Sequence, residues 1–157
     1  MTKLPFMIPA MAAALAFSPA ALAANSTAID GAYLLRQSDE RQRVLSIEQG
    51  GTVSQISDQQ NTVGFTSGLG TWTKTGPGSA RASIVDFNHP ENAADGQGAA
   101  MIVYDLTFSK PVDGKYQKVT GYFTGQAYNA GQNPQSPDEP HVRSFGTRFE
   151  GTRILAE

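Results

Sequence analysis

The stretch Ala100-Met101-Ile102-Val103-Tyr104-Asp105-Leu106-Thr107-Phe108 decides the fold class. It is rich in the β-branched and aromatic residues that suit a pleated surface, and it alternates with period two. Ile102, Tyr104, Leu106 and Phe108 share one face, while Met101, Val103, Asp105 and Thr107 share the other. The first face is wholly apolar and the second is half apolar, so the strand is covered on one side and partly covered on the other.

Outward from this strand the same texture repeats. Short segments of Val, Ile, Thr, Tyr and Phe are separated by glycine-bearing turns, and Gly reaches 16 of 157 residues. Strands are expected near 31–37, 43–48, 52–57, 70–75, 80–87, 100–108, 116–126 and 144–155. Gln49-Gly50-Gly51 turns the second into the third, Gly76-Pro77-Gly78-Ser79 the fourth into the fifth, and Pro111-Val112-Asp113-Gly114 the sixth into the seventh. No window shows a helical period; Ser38–Leu45 is charged, short and followed at once by β alternation. The chain therefore reads as all-β. Eight short strands, tight turns at one end and longer loops at the other are closed most cheaply as an antiparallel up-and-down barrel without free edges, with a β-sandwich as the alternative.

Residues 1–23 read as an export signal and stand outside the fold: Lys3, an apolar run from Leu4 to Phe17, then Ala21-Leu22-Ala23 with cleavage after Ala23. The run is too short and too interrupted by Pro for a membrane span, and no later segment approaches one. The expected location is the periplasm, with secretion as the alternative. Asn25-Ser26-Thr27 matches a glycosylation sequon at the new N-terminus. Residues 24–157 form one domain of a size that builds a core without staples, and with no Cys its stability rests on packing and hydrogen bonds.

The formal charge is −2 and basic residues do not cluster, which argues against nucleic acid and against an anionic membrane surface. Arg36, Arg41 and Arg43 come nearest to a basic run; interrupted by Asp39 and Glu40, they read as a solvated turn. The absence of Cys excludes thiol catalysis, and two isolated His exclude a His-rich metal site. No phosphate loop, dinucleotide fingerprint or Gly-x-Ser-x-Gly elbow is present, and no cofactor is expected.

Charged residues within strands carry the remaining chemical signal. Asp86, Asp105, Arg148 and Glu150 stand where apolar side chains or Thr are preferred, and Tyr104 and Tyr122 lie on adjacent strands. A carboxylate enclosed in an apolar barrel has a raised pKa and can move protons, with Tyr or Arg holding the ligand's oxygen. Asp86, Asp105 and Glu150 are thus the candidate acid–base residues, and Phe65, Trp72, Tyr104, Tyr122 and Arg148 the candidate ligand contacts. The bland reading sends the charges outward or pairs them across strands. Trp72 reads first as a plug at the closed end of a barrel and second as a stacking wall. Phe65, between Gly64 and Gly68, reads as a mouth residue. The loops 58–69, 88–98 (with His89-Pro90-Glu91) and 129–142 are placed to ring one mouth.

Asp30-Gly31-Ala32-Tyr33, Gly70-Thr71-Trp72, Val85-Asp86-Phe87 and the closing run from Phe145 to Ile154 resemble small secreted calycin-like barrels. Among these the pattern is most similar to the barrels of the allene oxide cyclase type, a group that includes dirigent proteins. Lipocalins carry Gly-x-Trp on the first strand, and here it falls on the fourth. The resemblance implies an eight-stranded barrel with an apolar pocket that holds a small lipophilic molecule or shapes a reactive intermediate. Three readings follow: a carrier of a small hydrophobic molecule, a cofactor-independent isomerase, cyclase or lyase, and a filled structural barrel of the envelope. The half-apolar outer face leaves room for a homo-oligomer, dimer or trimer.

Overall fold

The computed structural model describes residues 27–88, 97–136 and 138–156. The export signal, Asn25-Ser26 and His89-Pro90-Glu91 lie outside the described residues. Eight strands follow one another in sequence: β1 (Gly31–Gln37), β2 (Gln42–Ile47), β3 (Thr52–Ser57), β4 (Gly68–Gly76), β5 (Ser79–Phe87), β6 (Gln97–Val112), β7 (Lys115–Asn129) and β8 (Arg143–Arg153). Each pairs antiparallel with the next, and β8 returns to β1, from Tyr33 opposite Arg153 to Gln37 opposite Phe149. The result is a closed up-and-down barrel, and the sandwich alternative falls away. No helix among the described residues is long and apolar enough to cross a membrane.

The boundaries differ from the sequence expectation mainly in β6 and β7, which run 16 and 15 residues. Pro111 ends the apolar alternation, but it sits opposite Tyr116 near the tip of the ribbon, a position where a missing ladder donor is tolerated. Asp113 and Gly114 close this hairpin with φ of 49° and 72°, the left-handed pair that a tight two-residue turn requires. The one helical feature among the described residues, a single wide turn over Gln60–Gly64 closed by the Phe65 N–H on the Gln60 carbonyl at 3.1 Å, departs from the sequence expectation of a loop there.

Side-chain parity puts the apolar set inside. Tyr33 and Leu35 from β1, Leu45 and Ile47 from β2, Val53 from β3, Ile84 from β5, Ile102, Tyr104, Leu106 and Phe108 from β6, and Val119 and Phe123 from β7 are all buried. Each large side chain so buried stabilises the fold by about 1.5–3 kcal/mol relative to exposure. Aromatic rings fill the middle: Tyr104 meets Phe123 at 5.3 Å and Phe149 at 5.8 Å, and Tyr33 meets Phe108 at 5.4 Å. The barrel is therefore a packed body over most of its length.

The end with the tight turns is sealed. The Arg153 guanidinium donates to the carbonyls of Tyr116 and Asp30, both at 2.7 Å, and to the Tyr33 hydroxyl at 2.9 Å, while lying over the Tyr33 ring. Ile29 is buried beneath the segment where the Ala28 N–H bonds the Gly114 carbonyl. Trp72 belongs to this end: its indole N–H donates to the Glu48 carbonyl at 2.8 Å, and its ring packs on the core.

Tight curvature leaves no room for a side chain at some inward positions. A Cβ on Gly70 would fall on the backbone carbonyl of Ser83, and one on Gly121 on that of Asp105, atoms that cannot swing aside. Gly70→Ala is expected to destabilise the protein by about 3 kcal/mol, at the upper end of overpacking costs. Gly50→Ala, with nothing near the added carbon, should be close to neutral. Urea unfolding of the two variants beside the parent checks this, and equal midpoints would refute the steric account.

Candidate functional site

The opposite end, where the long loops gather, is open. A cavity of about 360 Å³ enters there, lined by Arg41, Arg43, Gln59, Val63, Phe65, Asp86, Asn88, Ala100, Ile102, Ala127, Arg143 and Phe145. Its size lies at the lower end of the range for small-molecule sites, and apolar walls with a few convergent polar groups are the usual composition of such sites.

The polar groups come from strand positions that parity sends inward. Arg43 precedes Leu45 and Ile47 on the inner face of β2, Gln55 follows Val53 on β3, and Asp86 follows Ile84 on β5. All three are buried. Gln55 joins them. Its Oε1 accepts from Arg43 Nη1 at 3.1 Å and from the Tyr104 hydroxyl at 2.5 Å, and its Nε2 donates to Asp86 Oδ2 at 3.2 Å. Only this orientation of the amide works, because Arg43 can only donate and an ionised carboxylate can only accept. Arg43 also lies over the Phe123 ring at 4.8 Å.

The electrostatics follow from this arrangement. Burial pushes the Asp86 carboxyl up to about 6, against the pull of the Arg43 charge and the Gln55 hydrogen bond. Burial likewise pushes Tyr104 up to about 12, so its hydroxyl stays protonated and remains a donor. No ion pair within 4.0 Å joins Arg43 to Asp86, since Gln55 bridges the two. The Arg43 Nε–H meets no acceptor among the described residues.

Of the residues singled out by sequence, the barrel brings Asp86, Tyr104 and Phe65 together: Asp86 and Phe65 line the cavity, and Tyr104 lies behind Gln55. It does not bring the others. Asp105 is on the outer wall, 3.2 Å from Arg81 in an exposed ion pair of the kind worth at most about 1 kcal/mol. Tyr122 stands opposite Asp105 and Arg148 opposite Tyr122 in the same outward row, and Glu150 also faces outward on β8. These four are corrected from lumen candidates to wall residues, because each has the opposite parity to Tyr104, Phe123 or Phe149 on its own strand. Trp72 takes the first of its two readings, a plug at the sealed end, and is corrected as a ligand contact because it does not line the cavity. Arg43 is corrected from a solvated turn to a buried cation. Gln55 and Arg143 were missed. For Gln55 the signal existed: a polar residue at an inward position between Val53 and Ser57.

Comparison with known proteins finds no matching family model, no matching curated protein and no matching solved structure. No group of three potential His, Cys, Asp or Glu ligands among the described residues could hold a metal ion. The arrangement offers proton exchange at Asp86 and anion recognition at Arg43.

Asp86 should make stability depend on pH. An aspartate in the unfolded chain ionises near its ordinary value of 3.8 and this one near 6, so between those values the folded state binds more protons. Its contribution is then present below about pH 4 and is lost as pH rises through 6, on the order of 3 kcal/mol in all. The stability difference between Asp86→Asn and the parent should accordingly widen in favour of the variant from pH 4.5 to pH 7.5. Urea titrations at both values test this, and a difference that stays constant would contradict the assignment.

Proposed function

We propose that this protein is an exported barrel that binds one small, largely hydrophobic molecule in its open mouth. The observation that carries the reading is the 360 Å³ cavity, whose walls of Val63, Phe65, Ala100, Ile102, Ala127 and Phe145 stand over a floor of two linked charges. The export signal read from residues 1–23 supports a location in the periplasm. The occupied volume is confined to the mouth, because the aromatic side chains of Tyr104, Phe123 and Phe149 fill the barrel below it.

A second reading is favoured by one observation. Asp86 has its carboxyl pushed up to about 6 beside an apolar space, which suits a general base or acid near neutral pH. In a cofactor-independent isomerase or cyclase it would exchange the proton while the cavity walls fix the substrate's shape. The resemblance to barrels of the allene oxide cyclase type is compatible with either reading. Carrier comes first, because a single carboxylate on a neutral amide relay makes no catalytic pair.

Binding is tested with N-phenyl-1-naphthylamine, an uncharged fluorophore that brightens in apolar surroundings. One saturable site per chain is expected for residues 24–157. Ala127→Phe, which places a ring into the mouth from a position buried in the wall, should reduce affinity at least tenfold while the far-ultraviolet circular dichroism is retained. Absence of saturable binding to the parent, or unchanged binding in the folded variant, would count against the mouth as the site.

A further inference from the structure

The floor of the mouth holds an imbalance that the apolar walls do not explain. Arg43 is 8% exposed, and an arginine keeps its charge at any pH a protein meets. A buried cation is ordinarily matched by a carboxylate in direct contact. Here Gln55 occupies that position: its neutral amide oxygen takes the Arg43 Nη1 bond and its nitrogen holds Asp86 on the far side. The ring face of Phe123 adds a partial counter-charge. Arg43 is thus desolvated, held in place from two sides and left one anion short, and it borders an open space of about 360 Å³. Arg41 and Arg143 line the same space from the β1–β2 turn and the start of β8.

We propose that the mouth cavity selects a compact organic acid, which enters head first and seats its carboxylate against Arg43 while its apolar body lies between Phe65, Val63 and Phe145. This rests on the binding function proposed above and adds the chemistry of the ligand. The cost of bringing a carboxylate out of water is offset because Arg43 has already been stripped of water and ordered by the fold. The space between the floor and the rim is about 360 Å³, so the part of the acid that it encloses is short or ringed. Asp86 sets the condition for entry. As an anion it competes with the ligand's carboxylate for the same positive field; protonated, it withdraws that competition. Among the described residues, the groups facing Asp86 are Arg43 on β2, the neutral Gln55 on β3 and Tyr104 on β6, with Arg41, Asn88 and Arg143 around the same space. Among these, Asp86 is the group that titrates near neutral pH.

The test uses three probes that share one ring system: 1-naphthaleneacetate, 2-(1-naphthyl)ethanol and 2-(1-naphthyl)ethylammonium. Their binding to residues 24–157 is measured by calorimetry at pH 5.5 and 7.5, where the acid stays ionised. The carboxylate should bind at least tenfold more tightly than the alcohol at pH 5.5, with the ammonium weakest, and the carboxylate alone should weaken severalfold at pH 7.5. Arg43→Gln should abolish the preference. If that variant does not fold, Asp86→Asn serves instead: it should bring the carboxylate's affinity at pH 7.5 up to its value at pH 5.5. Equal binding of carboxylate and alcohol would overturn the proposal and leave a site for neutral hydrophobic molecules standing. An Asp86→Asn variant with unaltered carboxylate affinity at pH 7.5 would also overturn it. Failure of all three probes to bind would remove the binding function and this proposal together.

Discussion

The pairing of β1 with β8 is the constraint on which the rest depends. With Tyr33 set opposite Arg153 and Gln37 opposite Phe149, no strand edge remains open and parity is locked around the ring. A slip of one residue at the seam would turn one of the two strands inside out. Closure at eight strands also fixes the diameter, leaving an interior that side chains can fill. That is why aromatic residues pack through the centre and why backbones approach so closely at Gly70 and Gly121. The cavity is what remains where inward positions become small or polar, at Ala100, Ala127, Arg43 and Asp86.

Within that frame Gln55 governs the electrostatics of the mouth. A direct Arg–Asp contact would have consumed both charges and left a neutral floor. The amide instead relays hydrogen bonds from Tyr104 and Arg43 to Asp86, keeping opposite charges close enough to influence one another but apart enough to act separately. Tyr104 contributes by staying protonated: its donated bond fixes which way the amide points.

The fold was largely legible in the sequence because period-two alternation and glycine-bearing turns are local signals. The tips of β6 and β7 were less so, since pairing across a ribbon carries strands past residues such as Pro111 that look like stops. The site was legible only in part. Asp86 stood out as a charge in an apolar strand, and so did Asp105 and Glu150, which turned out to face solvent. Composition marks a charge as unusual but does not say which side of the wall it occupies; that needs the parity of each strand anchored on a known core residue. Counting from Leu45 and Ile47 would have placed Arg43 inside, and counting from Val53 would have placed Gln55 there too. Counting back from Phe149 would have placed Arg143 inside as well, whereas the contribution of Val63 depends on how a loop folds over the rim, which no local pattern encodes.

The seal that Arg153, Tyr33 and Trp72 make at the turn end has a kinetic consequence. With aromatic packing above it and arginine-braced backbone below, the described residues form a cup that opens at the mouth rather than a conduit. A molecule held in the mouth would arrive and depart past Val63, Phe65 and Phe145, so one guest would have to leave before another entered. Under the binding function proposed above, exchange between occupants would obey a strict queue, with the lifetime of each stay set at the rim.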